Sequence, residues 1–223
     1  MQPHRIGLMV PSSNTVLEPD FYRNLPHGWT VHTARMYLED VTVTAEQQML
    51  DEHTLPAARQ LATAHPHVVV FGCTSASALR GNLYEERLVE DIQQVVGVPV
   101  ISVSRAVRQT LKNLHARNIV VITPYLEEIN AKIRRSFEED GMNVLRLLGM
   151  GIRENARIAL VPGEMIVNLA HRAVHGLSPD ALFVSCTNFP AMSILDALRR
   201  AFPFPVITSN QAALDMAIKT SAM

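Results

Sequence analysis

Cysteine is scarce in this chain: two occur in 223 residues, at positions 73 and 186. A small disulfide-stapled scaffold needs several in a short sequence, so that class is excluded. Charge of one sign is also lacking. The formal net charge is −1, too little for a field that steers the protein toward nucleic acid or an anionic membrane. No apolar run approaches the roughly 20 residues of a membrane span, and Met1-Gln-Pro-His-Arg5 lacks a secretory signal's pattern. No Pro/Gly/Ser-rich linker divides the sequence. The nine histidines form no ligand-spaced cluster: His65-Pro-His67 reads as a solvated turn, and His171 with His175 is an i, i+4 pair without a third ligand. No metal is therefore expected. The cytoplasm is the expected compartment, where two widely separated cysteines are reduced, and either chemical or simply buried.

What is present is a repeated phrase. Val68-Val-Val-Phe-Gly-Cys73-Thr-Ser-Ala-Ser77 and Ala181-Leu-Phe-Val-Ser-Cys186-Thr-Asn-Phe-Pro190 are each an apolar run, a small residue and then Cys-Thr. Each cysteine follows by 62 residues a proline that closes an earlier apolar run, Pro11 or Pro124, and the two copies are offset by 113. A third pair, Pro99-Val-Ile-Ser-Val-Ser104 and Pro205-Val-Ile-Thr-Ser209, is offset by 106. Three matches in one order point to a duplicated half carrying one thiol at a strand end.

Hydrophobic residues make up 48% and charged residues 18% of the chain, the balance of an ordinary globular protein. Apolar β-branched runs alternate with helical periodicity, the pattern of parallel βαβ units. It predicts strands near 5–10, 30–35, 68–71, 100–102, 119–123, 143–148, 181–184 and 206–208. Helices are predicted near 50–63, 88–95, 106–114, 127–140, 163–174 and 192–201. The expected fold is α/β: two pseudo-symmetric parallel-sheet, flavodoxin-like lobes with helices on both faces. Residues 1–108, joined by 210–223, form the first lobe and 109–209 the second. Parallel sheets bind ligands beyond the carboxyl ends of their strands, where both cysteines fall, so the site is expected in the cleft between the lobes.

A thiol at a strand end that opens a helix meets exposed N–H groups and a helix dipole, which favour thiolate. The same N–H groups, with the hydroxyls of Thr74, Ser75 and Thr187, can hold a carboxylate. Two such sites suit a small substrate with carboxylates on either side of a reacting carbon. Burial as an ordinary small residue is the other reading of each cysteine. Pro11-Ser12-Ser-Asn14-Thr15 is either an anion-binding loop, with Ser12 and Asn14 as donors, or a turn capping the next helix. Tyr125 holds the matching place in the second half and either donates its hydroxyl to substrate or packs. Asn188 joins the candidates beside Thr187.

The strings Val10-Pro-Ser-Ser-Asn-Thr15, Gly72-Cys-Thr-Ser-Ala-Ser77, Thr123-Pro-Tyr125, Gly151-Ile-Arg-Glu-Asn155 and Ser185-Cys-Thr187 together resemble the maleate cis-trans isomerase family of the aspartate/glutamate racemase superfamily. The likeness spans nearly the whole chain. The Pro-Ser-Ser-Asn-Thr string is its most family-specific piece, whereas Cys-Thr is shared across the superfamily. The resemblance implies a two-lobed fold, no cofactor and a homo-oligomer. Cys73 would be the nucleophile and Cys186 its partner, with Asn14, Tyr125 and Asn155 holding the carboxylates. Thr187-Asn-Phe-Pro190 departs from it and is closer to the Cys-Thr-His-Phe-Pro string of amino-acid racemases, with Asn188 in place of histidine. The leading expectation is isomerisation of maleate to fumarate. A two-cysteine racemase of the aspartate or hydantoin type is the alternative, and a non-catalytic dicarboxylate-binding protein is the third reading. An arylmalonate-type decarboxylase resembles the fold but uses a single cysteine.

Overall fold

Val68–Phe71 and Ala181–Val184 are buried at every position, because each runs through the middle of a parallel sheet covered by helices on both faces. The computed structural model describes residues 3–221. Residues 1–2 of the assignment 1–108 and 222–223 of the assignment 210–223 lie outside the described residues.

The first half runs β1 (His4–Pro11), α1 (Leu17–Asn24), β2 (Trp29–Met36), α2 (Val43–Gln48), α3 (Thr54–Ala62), β3 (Val68–Phe71), α4 (Thr74–Ala78), α5 (Asn82–Val96), β4 (Val100–Ser102) and α6 (Val103–Asn113). A π-helical turn, Met49–His53, joins α2 to α3. The second half runs β5 (Asn118–Thr123), α7 (Glu127–Glu139), β6 (Asn143–Gly149), α8 (Asn155–Ile158), α9 (Gly163–Val174), β7 (Ala181–Val184), α10 (Leu195–Ala201), β8 (Val206–Thr208) and α11 (Ser209–Ser221). Each half forms a four-stranded, all-parallel sheet, in the orders β2-β1-β3-β4 and β6-β5-β7-β8. The fold is thus the expected pair of like α/β sheets, and all eight strands fall where the apolar runs place them.

Helices were less legible. The predicted helix at 50–63 starts earlier and carries a π turn. No periodicity marks α4, α8 or α11. α11 follows β8 without an intervening residue, yet packs on α6, β3 and β4 of the first half. Its buried Ala212, Ala213, Leu214 and Ala217 spread over more than one face, so it shows no clean amphipathic stripe. No helix among the described residues is long and apolar enough to cross a membrane.

Candidate active site

The carboxyl ends of β1, β3, β5 and β7 converge between the two sheets. Gly72 sets the first approach: a Cβ there would sit 2.8 Å from the Met9 carbonyl oxygen and 2.4 Å from Leu17 Cδ2. Only glycine lets β3 turn this close to β1, and the next residue, Cys73, becomes the N-cap of α4. In the second half Gly149 does similar service, since a Cβ would meet the Tyr125 carbonyl oxygen at 2.6 Å. That closeness lets the backbone after β6 pair with residues 123–125 and hold Tyr125 over the cleft, through Gly151 N–H to Tyr125 O at 3.1 Å and Ile152 N–H to Pro124 O at 2.8 Å. Cys186 has φ +103°, a left-handed conformation costly for a residue with a side chain.

Cys73, Ser75, Asn14, Tyr125, Asn155, Cys186 and Thr187 line one cavity, roofed by Leu38 and Val41. The free space is about 10 Å³, enough for the centre of a single water molecule. Both thiols are almost wholly buried and unbridged. The roof comes from the segment after β2, which crosses to the other half. Val41 N–H donates to Arg153 O at 2.8 Å, Asn155 N–H to Glu39 O at 3.1 Å, and Arg153 pairs with Asp40 at 2.7 Å. A wider groove of about 610 Å³ lies on the second half, and among the candidates of the sequence none lines it.

Several candidates are committed to protein partners. Asn14 Oδ1 accepts from Val16 and Leu17 N–H, each at 3.0 Å, which is the capping reading of that loop. Its Nδ2 donates to Thr187 Oγ1 at 2.9 Å, and Thr187 in turn donates to Gly72 O at 3.0 Å. Asn14 still lines the cavity with one N–H to spare. Asn155 Nδ2 donates to Ser13 Oγ at 2.9 Å, across the two halves. Ser12, Thr74 and Asn188 do not line the cavity. The Ser12 hydroxyl is held by the Leu38 backbone, and Thr74 donates to Ser209 Oγ at 3.1 Å. Asn188 accepts from Thr15 N–H at 2.9 Å and donates to Asn155 O at 2.7 Å. Thr74 and Asn188 tie the halves together, while Ser12 pins the segment after β2 within its own half.

The expectation of an activated thiolate at rest is corrected. Burial pushes the Cys73 thiol well above its ordinary value, and the nearby Glu46 carboxylate adds to the rise. The Ala76 N–H offsets little of it. Burial pushes Cys186 up to about 12, against the opposing hydrogen bonds of the Tyr125 hydroxyl and the Asn188 and Phe189 N–H groups. Tyr125 is likewise raised by burial, then by the two sulphurs. Desolvation of an anion outweighs the N–H groups of a helix only five residues long.

Glu46 was not anticipated. It stands on α2, wholly buried, with its carboxylate on the Ser75 hydroxyl and Oε2 without a partner. Ser209, whose hydroxyl accepts the Cys186 N–H at 3.1 Å, was also missed; its place in the repeated Pro-Val-Ile phrase was the one available signal.

The arylmalonate decarboxylase family model matches residues 6–223. A maleate isomerase of Alcaligenes faecalis is 24% identical over 222 residues, covering 94% of this chain and 87% of that protein. An arylmalonate decarboxylase of Bordetella bronchiseptica is 24% identical over 215 residues, covering 96% and 89%. Among solved structures, a cysteine-to-serine mutant of Nocardia farcinica maleate cis-trans isomerase, bearing a covalently bound succinylcysteine intermediate, superposes with a TM-score of 0.87 at 22% identity and covers 99% of this chain and 93% of that one.

Proposed function

We propose, from the premise that this chain belongs to the arylmalonate decarboxylase family, that it is a cofactor-independent cis-trans isomerase of a small dicarboxylate, converting maleate to fumarate. The observation that carries this reading is the pair of buried thiols, one from each half, lining a single cavity. Proteins named maleate isomerase among its relatives support it.

In this reading Cys73 is the nucleophile. Its thiolate adds to one alkene carbon of maleate, the S–C bond forms, and the π electrons move toward the far carboxylate as an enediolate. The former double bond is now single and rotates. Expulsion of the thiolate restores the alkene as fumarate. The Tyr125 hydroxyl, the spare Asn14 N–H and the N–H groups after Cys73 and Cys186 hold the carboxylates and the transient charge. The Cys186 thiol holds and returns a proton on the opposite side. Because the cavity is about 10 Å³, substrate enters only when the residues that line it move apart.

The two-thiol arrangement also favours a second reading, a racemase in which one thiolate takes the α-proton and the opposite thiol returns one to the other face. A proton NMR time course with maleate in heavy water, beside tubes of aspartate and a hydantoin, separates the two. Growth of the fumarate signal is the expected result. Deuterium entering the α-carbon of aspartate or hydantoin, with maleate untouched, would make the protein a racemase.

A further inference from the structure

Among the described residues Glu46 is the one carboxylate wholly buried beside a candidate thiol, and nothing in the reaction above uses it. Its surroundings are unlike those of a structural carboxylate. One oxygen accepts the Ser75 hydroxyl, while Oε2 is buried without a hydrogen-bond partner. A carboxylate kept for packing alone would have both oxygens satisfied or be replaced by an amide. Ser75 Oγ, which donates to Glu46, also lies 3.6 Å from Cys73 Sγ. With its hydrogen committed to Glu46, Ser75 has a free lone pair for the Cys73 thiol. The three side chains form a directed chain, thiol to hydroxyl to carboxylate, from α4 to α2.

We propose that Glu46 is the proton acceptor for Cys73, acting through Ser75. The deduction deepens the isomerase reading and rests on it for the role of the thiolate. In the step, the Cys73 S–H bond breaks as its proton passes to Ser75 Oγ, and the Ser75 hydroxyl proton passes to Glu46 Oε1. A carboxylate and a thiol become a carboxylic acid and a thiolate. No charge is created, and no co-reactant is needed. Elimination of the thiolate from product reverses the transfer.

This arrangement answers a difficulty that the geometry poses. Cys73 is buried, and a fixed negative charge on Glu46 would oppose its ionisation. A single negative charge shared by the two groups removes that opposition, because Glu46 is neutral whenever Cys73 is a thiolate. Burial and the Glu128 carboxylate on α7 raise the Glu46 pKa to about 8, the Ser75 hydrogen bond opposing them. Glu46 is therefore mostly the acid at neutrality, and the carboxylate that takes the Cys73 proton forms as the pH rises through about 8. The other titratable groups facing this pair are Cys186 and Tyr125. Glu46 touches neither substrate nor sulphur in this scheme and is a positioning residue for the proton.

The test is iodoacetamide alkylation of the folded protein between about pH 6 and 9, with the two cysteines resolved by peptide mass mapping. Glu46→Gln keeps the shape and an acceptor for Ser75 but cannot take the proton. Near pH 9, where Glu46 is a carboxylate, slower alkylation of Cys73 by about tenfold or more, with Cys186 in the same sample nearly unchanged, is expected. Unchanged or faster Cys73 alkylation overturns the proposal, since removing a negative charge alone would favour the thiolate. Ser75→Ala breaks the chain while Glu46 remains and should slow Cys73 likewise, and Ser75→Thr should restore the rate. If Glu46→Gln fails to fold, that serine pair decides: equal rates in Ser75→Ala and wild type overturn the relay. Alkylation needs no substrate, so it is judged apart from turnover. A wild type inactive on maleate with slowed alkylation in the variants defeats the isomerase reading and not the relay; the opposite pattern defeats the relay alone.

Discussion

Cys73 and Cys186 occupy matching places in matching halves, yet their surroundings differ in kind. Cys73 caps a short helix with an extended backbone, φ −132° and ψ 109°, and its sulphur faces a hydroxyl that is already donating to a carboxylate. Cys186 sits at φ +103°, and its sulphur receives the Asn188 N–H at 3.3 Å, while the Tyr125 hydroxyl holds its pKa down against burial. One sulphur faces a route that takes its proton away; the other is surrounded by donors that tolerate charge once it forms. Each of the two like halves supplies one thiol, and in the proposed reaction the residues unique to each half divide the work between them.

Substitutions can break this comparison. The largest expected effect is Cys73→Ala, which should lower maleate turnover by about a thousandfold or more, measured by initial rates of fumarate formation. Cys186→Ser should lose about a hundredfold and, on quenching with maleate, leave an adduct on Cys73 visible by intact mass. An adduct on neither cysteine would remove the division of labour.

Next comes Glu46. The unfolded chain releases this proton near 4.5, while the folded protein holds it to about 8. The unfolded state is therefore increasingly favoured as pH rises across that window, and the penalty is constant above it. The full difference is on the order of 4 kcal/mol. Wild-type melting temperature should fall from pH 5 to 8 more steeply than that of Glu46→Gln. Parallel curves would show that the folded protein does not hold the proton.

The smallest effect compares the residues before the two cysteines. Gly72 has no room for a Cβ, whereas Ser185, its counterpart, has a buried hydroxyl without a partner. Gly72→Ser should cost about 1–3 kcal/mol, and Ser185→Ala should be neutral or slightly stabilising, both read by denaturant unfolding.

The strands and both thiols were legible because β-branched runs and a repeated phrase are local signals. Glu46 was not. Val43-Thr-Ala-Glu-Gln-Gln48 is a polar segment, and a charged residue in such a segment reads as solvated unless the fold lays it inward. Ser12, Thr74 and Asn188 show the reverse limit. Their residue types suit ligand binding, but the same hydroxyls and amides also suit partners within the protein, and residue type alone does not distinguish an internal partner from a substrate. The opening Ser/Asn loop carried both readings, and Asn14 fulfils the capping one while still facing the cavity. The expected low-pKa thiol failed because desolvation depends on three-dimensional closure, which no spacing encodes.

The passage from β8 into α11 bears on how the molecule comes into being. Thr208 ends the second sheet, and from Ser209 the chain is already part of the helix that covers β3 and β4 of the first. The first half therefore completes its core with residues made about a hundred positions after its own last strand. A nascent chain lacking 209–221 exposes the apolar face of a sheet that looks finished in sequence. Contacts so distant in sequence carry a loop-closure cost that slows folding. The two sheets are alike in strand order, yet a cut between the halves takes from the first the helix that covers it.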